Sequence, residues 1–310
     1  MSFTHSIMFH HFHDTNNKHL PAQGSLSAND FNEMLDWLSK RYNLIGAREY
    51  LERFKEDSLG SNDICLSFDD ALLCQYDIAY PILAERGLDA FFFVYSSVFS
   101  GAPDNLEIFR YFRTNSFRSI EDFYKEFFEI VADLHYEEFV RHKSMYDSLD
   151  YLDAFPFYTK NDKWFRYLRD RMLGAERYEQ LMFSLMETKN FDSLKVAKNL
   201  WMSEAHLQTI ASDGHIIGLH SYSHPTQMSR LNYDEQLQQY KSNLHHLERI
   251  VGEVVSMSHP CGDYNDDTLS ILSEMGIQIG FRSNLSTKTI KSKFEVPRDD
   301  HSNIFKAMKK

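Results

Sequence analysis

Residues 64–71 read Ile-Cys-Leu-Ser-Phe-Asp-Asp-Ala, an apolar run that ends in two adjacent carboxylates. The run follows the turn Gly60-Ser61-Asn62-Asp63 and has the length of a buried strand. Two carboxylates at the end of such a strand lose hydration and repel each other unless positive charge lies beside them. A metal ion would resolve the conflict, with one Asp as ligand and the other as a base. The alternative is an Asp-Asp pair that caps the following helix.

On both sides of this stretch, short apolar runs alternate with amphipathic segments. Beside the strand Ile64–Phe68, strands are predicted at Ser6–Phe9, Leu88–Val94, Ile216–Leu219, Val254–Met257 and Ile277–Phe281. Helices are predicted to begin after the caps Ser27, Ser203 and Asn232, and to cover residues 71–86 and 266–275. Repeated βα units of this kind form an α/β fold with a parallel sheet, open or closed into a barrel.

Residues 104–200 interrupt the alternation and contain no convincing buried strand. They hold 21 of the 45 aromatic residues, a load that a solvated linker would not carry. We therefore expect one domain over residues 1–310 with a mostly helical, aromatic-rich insertion at 104–200. Its aromatic side chains form the insertion's own core or, alternatively, line a substrate groove or a dimer contact, which leaves a homodimer through the insertion open.

Composition excludes several classes of protein. The 310 residues carry a net charge of −12, which disfavours nucleic acid as a partner. The three cysteines have unrelated spacings and fit a reducing compartment. The first residues lack the pattern of a signal peptide, and the most apolar stretch, residues 90–94, is too short to span a bilayer. We expect a cytoplasmic protein without membrane insertion.

Two further motifs follow predicted strands. His220-Ser221-Tyr222-Ser223-His224 places two imidazoles four residues apart, a spacing that lets them converge on one ion, although histidines at strand ends are common without a metal. Residues 258–265 read Ser-His-Pro-Cys-Gly-Asp-Tyr-Asn, in which Pro260 and Gly262 fix a turn that can present a backbone N–H. The carboxyl ends of parallel strands share one face, so the three motifs are expected to meet there.

In this order the motifs resemble those of the polysaccharide deacetylases of the NodB-homology type, carbohydrate esterase family 4. The family's T/S-F-D-D-G stands here as Ser67-Phe68-Asp69-Asp70-Ala71, and its H-S/T-x-x-H as His220–His224. Its third motif stands as His259-Pro260-Cys261-Gly262, and Met8-Phe9-His10 resembles the M-Y-H of many members. The resemblance covers residues 1–102 and 201–300 and leaves the insertion out.

The resemblance implies a distorted (β/α)7 barrel and metal-dependent hydrolysis of an N-acyl amide, expected to be N-acetyl, on an amino sugar. By position, Asp70, His220 and His224 would bind a divalent ion, expected to be Zn²⁺ with Co²⁺ or Ni²⁺ as alternatives. Asp69 would be the general base. The backbone N–H of Cys261 would hold the oxyanion, with an incidental thiol.

Two departures from the family leave roles to assign. The Arg that many members carry in the third motif is absent, and Arg298 could supply that charge. The family's general-acid segment is also absent, and the candidate acids, in order, are His301, His10 and His259. The expected substrate-binding residues are His10, His259, Pro260 and Tyr264.

A cytosolic enzyme would act on a soluble N-acylated amino sugar or sugar conjugate during surface polysaccharide biosynthesis. Cationic residues of the insertion could bind an anionic group of such a substrate, or could simply be solvated: Arg110, Arg113, Lys163, Arg166 and Arg169. Two alternatives remain, a cyclic-amide hydrolase of the allantoin kind and a catalytically silent carbohydrate-binding relative.

Overall fold

A computed structural model describes residues 4–16, 18–21, 24–102, 104–153, 158–286 and 289–309. The strands are β1 (His5–Phe9), β2 (Asn43–Leu44), β3 (Asp63–Asp69), β4 (Phe91–Val94), β5 (Ile216–Leu219), β6 (Ser256–Ser258), β7 (Ile279–Phe281) and β8 (Arg298–Asp300). The helices are α1 (Ala28–Ser39), α2 (Ala47–Lys55), α3 (Tyr80–Arg86), α4 (Asn105–Asn115), α5 (Ile120–Leu134), α6 (Tyr136–Tyr146), α7 (Lys160–Tyr167), α8 (Gly174–Thr188), α9 (Ser193–Ala197), α10 (Glu204–Ser212), α11 (Tyr233–Val251), α12 (Asp266–Glu274) and α13 (His301–Met308).

The described strands form one parallel sheet in the order β7-β6-β5-β4-β3-β1-β8, with β2 beside β3. Phe281 in β7 bridges to Val296, just before β8, and β8 in turn pairs with β1. The two ends of the sheet therefore approach each other, and the sheet is nearly closed as a barrel. The predicted barrel fold is confirmed. Its strands are buried, as expected for a parallel sheet covered by helices.

Capping residues in the sequence mark where several helices begin. Ser27, Ser203 and Asn232 each form a reciprocal capping box with the residue three positions later. The single helix predicted at residues 71–86 is corrected: a π-helical turn, Gln75–Ala79, precedes α3, and Pro81 lies in the first turn of α3. Proline is tolerated there because the N–H groups of a first turn have no partner inside the helix.

By its internal contacts the chain divides into two compact units. The barrel unit comprises residues 1–104 and 197–310, and the helical unit comprises residues 105–196. In the helical unit the described elements are helices, and most of the aromatic side chains that they carry are buried among themselves, as Phe109, Phe123 and Phe165 show. The aromatic load of this segment thus forms a core of its own. Among the described helices, none combines the length and apolar character needed to cross a membrane.

Candidate metal centre

The three predicted metal ligands, Asp70, His220 and His224, converge at the carboxyl ends of β3 and β5. Oδ1 of Asp70 lies 3.4 Å from Nε2 of His220 and 3.5 Å from Nε2 of His224. One ligand atom from each residue can be chosen such that all three lie within 4.8 Å of one another. Two imidazoles and one carboxylate at this spacing are a donor set that suits a divalent transition-metal ion.

The electrostatics of this cluster favour a cation. Oδ1 of Asp70 is buried and accepts no hydrogen bond from any residue that the structure describes. Burial alone would raise the pKa of Asp70, but the proximity of His220, and then of His224 and His10, lowers it well below its usual range. A buried, ionised oxygen without a donor is costly, so the residues present fit a bound metal ion.

The imidazole of His220 is oriented by Ser258, which lies beside its Nδ1 atom. Its Nδ1 lies 2.9 Å from the backbone oxygen of Ser258 and 2.8 Å from the Ser258 hydroxyl. A proton on Nδ1, donated to that carbonyl, leaves the lone pair of Nε2 free to face Asp70. The backbone N–H of His220 donates to Oδ1 of Asn243, whose amide donates to the carbonyl of Val94 and the hydroxyl of Ser96.

His224 has a carboxylate beside the ring nitrogen that points away from Asp70. Its Nδ1 lies 3.6 Å from Oδ2 of Asp104, while its backbone N–H donates to the hydroxyl of Ser221. A carboxylate on the far nitrogen of a ligating histidine fixes the ring and increases its basicity. Sequence reasoning missed Asp104 and Asn243. A sequence signal existed only for Asn243, a polar residue on the helical stripe that Tyr240 and Leu247 also occupy.

Asp69, the expected base, is held by a buried ion pair. Nη1 and Nη2 of Arg298 each lie 2.7 Å from one oxygen of the Asp69 carboxylate, and the Arg298 side chain is fully buried. Burial would raise the pKa of Asp69, but the charge of Arg298 and then that of His220 lower it, so the carboxylate stays ionised. The structure thus brings Arg298 to the position that the missing arginine of the third motif would serve.

His10 lies at the open side of the carboxylate pair. Its Nε2 is 4.0 Å from Oδ2 of Asp69 and 3.9 Å from Oδ2 of Asp70, and a quarter of its side chain is exposed. Among the three histidines expected as general acids, it is the one that the structure places beside Asp69 and Asp70 while leaving it open to solvent.

The structure does not support the other two histidines, His301 and His259, as general acids. His301 stacks on Phe9, and its ring nitrogens face the carbonyls of Met8 and Gly24 at 3.2 and 2.6 Å, so neither nitrogen is available to protonate a leaving amine. His259 is buried, its Nε2 donates to the carbonyl of Phe294, and burial lowers its pKa to about 3. A group that stays neutral and enclosed is neither an acid nor a surface for substrate.

The third motif forms a tight turn over residues 260–262, with Cys261 exposed at a φ of 52°. Pro260 is buried, which corrects its assignment as a substrate-binding side chain. Tyr264 is half-buried, stacks on His259 and donates from its hydroxyl to Glu295, which together with burial raises its pKa to about 12. Of the substrate-binding residues expected in this motif, Tyr264 is the one that the structure leaves partly exposed.

Backbone strain is concentrated in the same three motifs. Positive φ angles occur at Asp70, Ala71, Ser221, His224 and Cys261, all of them non-glycine residues. Such a conformation costs on the order of 1–2 kcal/mol per residue and persists where surrounding contacts impose it. The Asp70 N–H, for example, donates to the carbonyl of Phe93, which fixes the turn that aims its carboxylate.

Comparison with known proteins agrees with this site. The family model described as polysaccharide deacetylase matches residues 184–280, a segment that contains the second and third motifs but not the Asp69-Asp70 pair. No curated protein matches the chain in sequence.

Similar solved structures share the fold at low identity. The deacetylase PplD of Streptococcus pyogenes, solved with acetate, is 13% identical with a TM-score of 0.56, over 97% of this chain and 92% of that one. IcaB from Ammonifex degensii is 14% identical with a TM-score of 0.56, over 96% and 91%. A de-N-acetylase from Aggregatibacter actinomycetemcomitans is 15% identical with a TM-score of 0.55, over 95% and 93%. The matched segment and the shared fold agree with the resemblance to the polysaccharide deacetylases that the three motifs indicate.

Proposed function

We propose that this protein is a metal-dependent hydrolase that removes an N-acyl group, in the first place N-acetyl, from an amino sugar. The observation that carries the proposal is the convergence of Asp70, His220 and His224, with Asp69 held beside them by Arg298. The family match and the deacetylases among the similar structures support the same reaction class. The substrate would be an N-acylated amino sugar, free or within a polysaccharide or conjugate.

The metal would be held by Asp70, His220 and His224, and two nitrogens with one oxygen favour Zn²⁺, with Co²⁺ and Ni²⁺ as alternatives. When bound, such an ion supplies Lewis-acid polarisation of the amide carbonyl and acidifies water. Asp69 would accept a proton from the attacking water, because it is ionised and its position is fixed by two hydrogen bonds from Arg298. The Cys261 N–H would donate to the developing oxyanion from its turn.

We assign protonation of the leaving amine to His10. It lies within 4.0 Å of both carboxylates and is partly exposed, so an amine bound there would be within reach of its Nε2. A cytoplasmic location, a biosynthetic intermediate as substrate and a homodimer through residues 104–200 stay predictions from the sequence.

The decisive experiment combines metal analysis with acetate release. Purified protein should contain or take up about one Zn²⁺ per chain, and it should release acetate from N-acetylglucosamine oligomers. Asp69→Asn should retain the metal and lose at least about two orders of magnitude in turnover, the size of a general-base contribution. The matched control is Asp213→Asn, at an exposed Asp that accepts from Tyr80 outside the cluster, and it should be fully active.

Other outcomes separate the alternatives. Full turnover by Asp69→Asn would refute the assignment of the base. Absence of metal uptake, together with absence of acetate release, would favour a catalytically silent relative. Ring opening of allantoin without release of acetate from any amino sugar would favour the cyclic-amide hydrolase.

A further inference from the structure

Arg113, in the last turn of α4 within the helical unit, is a buried charge without a counter-ion in the part of the chain that the structure describes. Its side chain is 9% exposed, and its Nε has no hydrogen-bond acceptor among the described residues. No carboxylate in the described ranges forms an ion pair with it. Its guanidinium instead lies 4.8 Å from the centre of the Phe165 ring and 5.9 Å from that of Phe123.

This arrangement is costly in the absence of an anion. Cation–π contacts offset only part of the free energy that is lost when a guanidinium is removed from water. Burial lowers the pKa of Arg113, and the nearby charges of Arg166 and Arg169 lower it further. Natural proteins keep buried cations where a partner neutralises them, and here the described residues provide none.

A second arginine reaches the same neighbourhood with an unused nitrogen. Arg166 on α7 also has a buried Nε without an acceptor among the described residues, and its guanidinium lies 4.1 Å from the centre of the Tyr158 ring. The charges of both Arg113 and Arg166 act on the phenol groups of Tyr124 and Tyr178. Two guanidinium groups, each with an Nε that lacks an acceptor among the described residues, therefore lie within electrostatic range of the same two tyrosines.

The carboxylates of this region are already engaged. Asp162 accepts from the hydroxyl of Tyr124 and from the backbone and hydroxyl of Thr159. Asp170 pairs with Arg169 and accepts from Tyr151. Neither carboxylate forms an ion pair with Arg113 or Arg166, and the three guanidinium groups of Arg113, Arg166 and Arg169 outnumber these two carboxylates.

We infer that Arg113 and Arg166 form a binding site for a phosphate group, either inorganic phosphate or a phosphate ester. Guanidinium groups present fixed pairs of N–H donors that match the oxygens of a tetrahedral oxyanion. A doubly charged phosphate balances two guanidinium charges, which a carboxylate does not. The site lies wholly within the helical unit, so the inference does not depend on the proposed deacetylase activity.

The test is calorimetric titration of the full, metal-loaded chain with inorganic phosphate. Wild-type protein should bind phosphate, and Arg113→Met or Arg166→Met should weaken this binding about tenfold or more, the value of one or more charge-assisted hydrogen bonds. Arg118→Met is the matched control, because Arg118 belongs to the same unit but is exposed. It removes the same charge and should leave the affinity unchanged.

If phosphate binds at the metal centre instead, Arg113→Met and wild type will bind it with equal affinity. This result would overturn the inference. So would equal losses in Arg113→Met and Arg118→Met, or binding of acetate without binding of phosphate. Thermal unfolding without phosphate gives an independent readout. Arg113→Met should then be as stable as wild type or more stable, since it removes an unneutralised charge, while the stabilisation by added phosphate should disappear. Should Arg113→Met fail to fold, Arg166→Met decides alone, because that side chain is only half-buried.

Discussion

Replacing Arg298 by Met should destabilise the barrel unit more than almost any other single substitution of a charged residue. The guanidinium is fully buried and makes two hydrogen bonds of 2.7 Å with Asp69, which is itself only 2% exposed. Loss of Arg298 leaves the ionised carboxylate of Asp69 buried without the cation that donated two hydrogen bonds to it. Breaking a buried ion pair in this way costs about 3–5 kcal/mol.

The double variant, Arg298→Met with Asp69→Asn, measures the interaction energy between the two side chains. Asp69→Asn alone leaves the Arg298 charge buried and should also be destabilising. With both changes no uncompensated charge remains, so we expect the double variant to lose about 2–3 kcal/mol less than the sum of the two single variants. Arg53 and Asp63 are joined at 2.9 Å, but a third of the arginine side chain is exposed to solvent, which screens the pair. Arg53→Met should therefore destabilise the protein much less than Arg298→Met.

The assay is urea unfolding of metal-free protein at pH 8, followed by far-ultraviolet circular dichroism, for wild type, both single variants, the double variant and the Arg53→Met control. Metal is removed with a chelator so that changes in metal affinity do not enter the free energy of unfolding. Additive losses from Arg298→Met and Asp69→Asn would refute the reasoning. A loss from Arg298→Met no larger than that from Arg53→Met would refute it as well.

Four further predictions concern other parts of the barrel unit. Cys261→Ser should retain most of the turnover measured by acetate release, since the proposed contribution is the backbone N–H, and a marked loss would show that the exposed thiol takes part in the reaction. A chelator should lower the thermal unfolding temperature of wild type but not that of His220→Ala, and an equal response in both would place the metal elsewhere. Asn243→Leu should cost about 1–3 kcal/mol in urea unfolding, because the His220 N–H loses a buried acceptor, and a neutral result would show that this bond is dispensable. The N–H of Ala90 donates to Nδ1 of His215, and burial lowers the pKa of that imidazole below 6.5. Stability should therefore fall as the pH drops below about 6.5, and His215→Asn should flatten this slope; an unchanged slope would assign it to another group.

The buried face of α11 shows where the pattern in the sequence falls short. The apolar positions predict a face of Leu237, Tyr240, Leu244, Leu247 and Val251, but the structure buries Gln236, Tyr240, Asn243, Leu247 and Ile250. The two amides are buried because each satisfies groups outside the helix, Asn243 those at the ends of β4 and β5 and Gln236 the carbonyl of Leu231. Hydrophobic periodicity carries no information about such partners.

The sequence alone predicted the parallel α/β fold and the capped helices, because these follow from local periodicity and cap residues. Its motifs of five residues, through their resemblance to a known family, indicated the barrel and the trio Asp70, His220 and His224 that we propose as metal ligands. The tertiary structure decided the partners that lie far along the chain. Arg298 meets Asp69 across 229 residues, and Asp104 lies behind His224. The structure also enclosed His301 and His259 and left His10 open, although all three are histidines near strand ends. Burial and orientation depend on which surfaces pack together, and that is a property of the closed sheet rather than of any short stretch of residues.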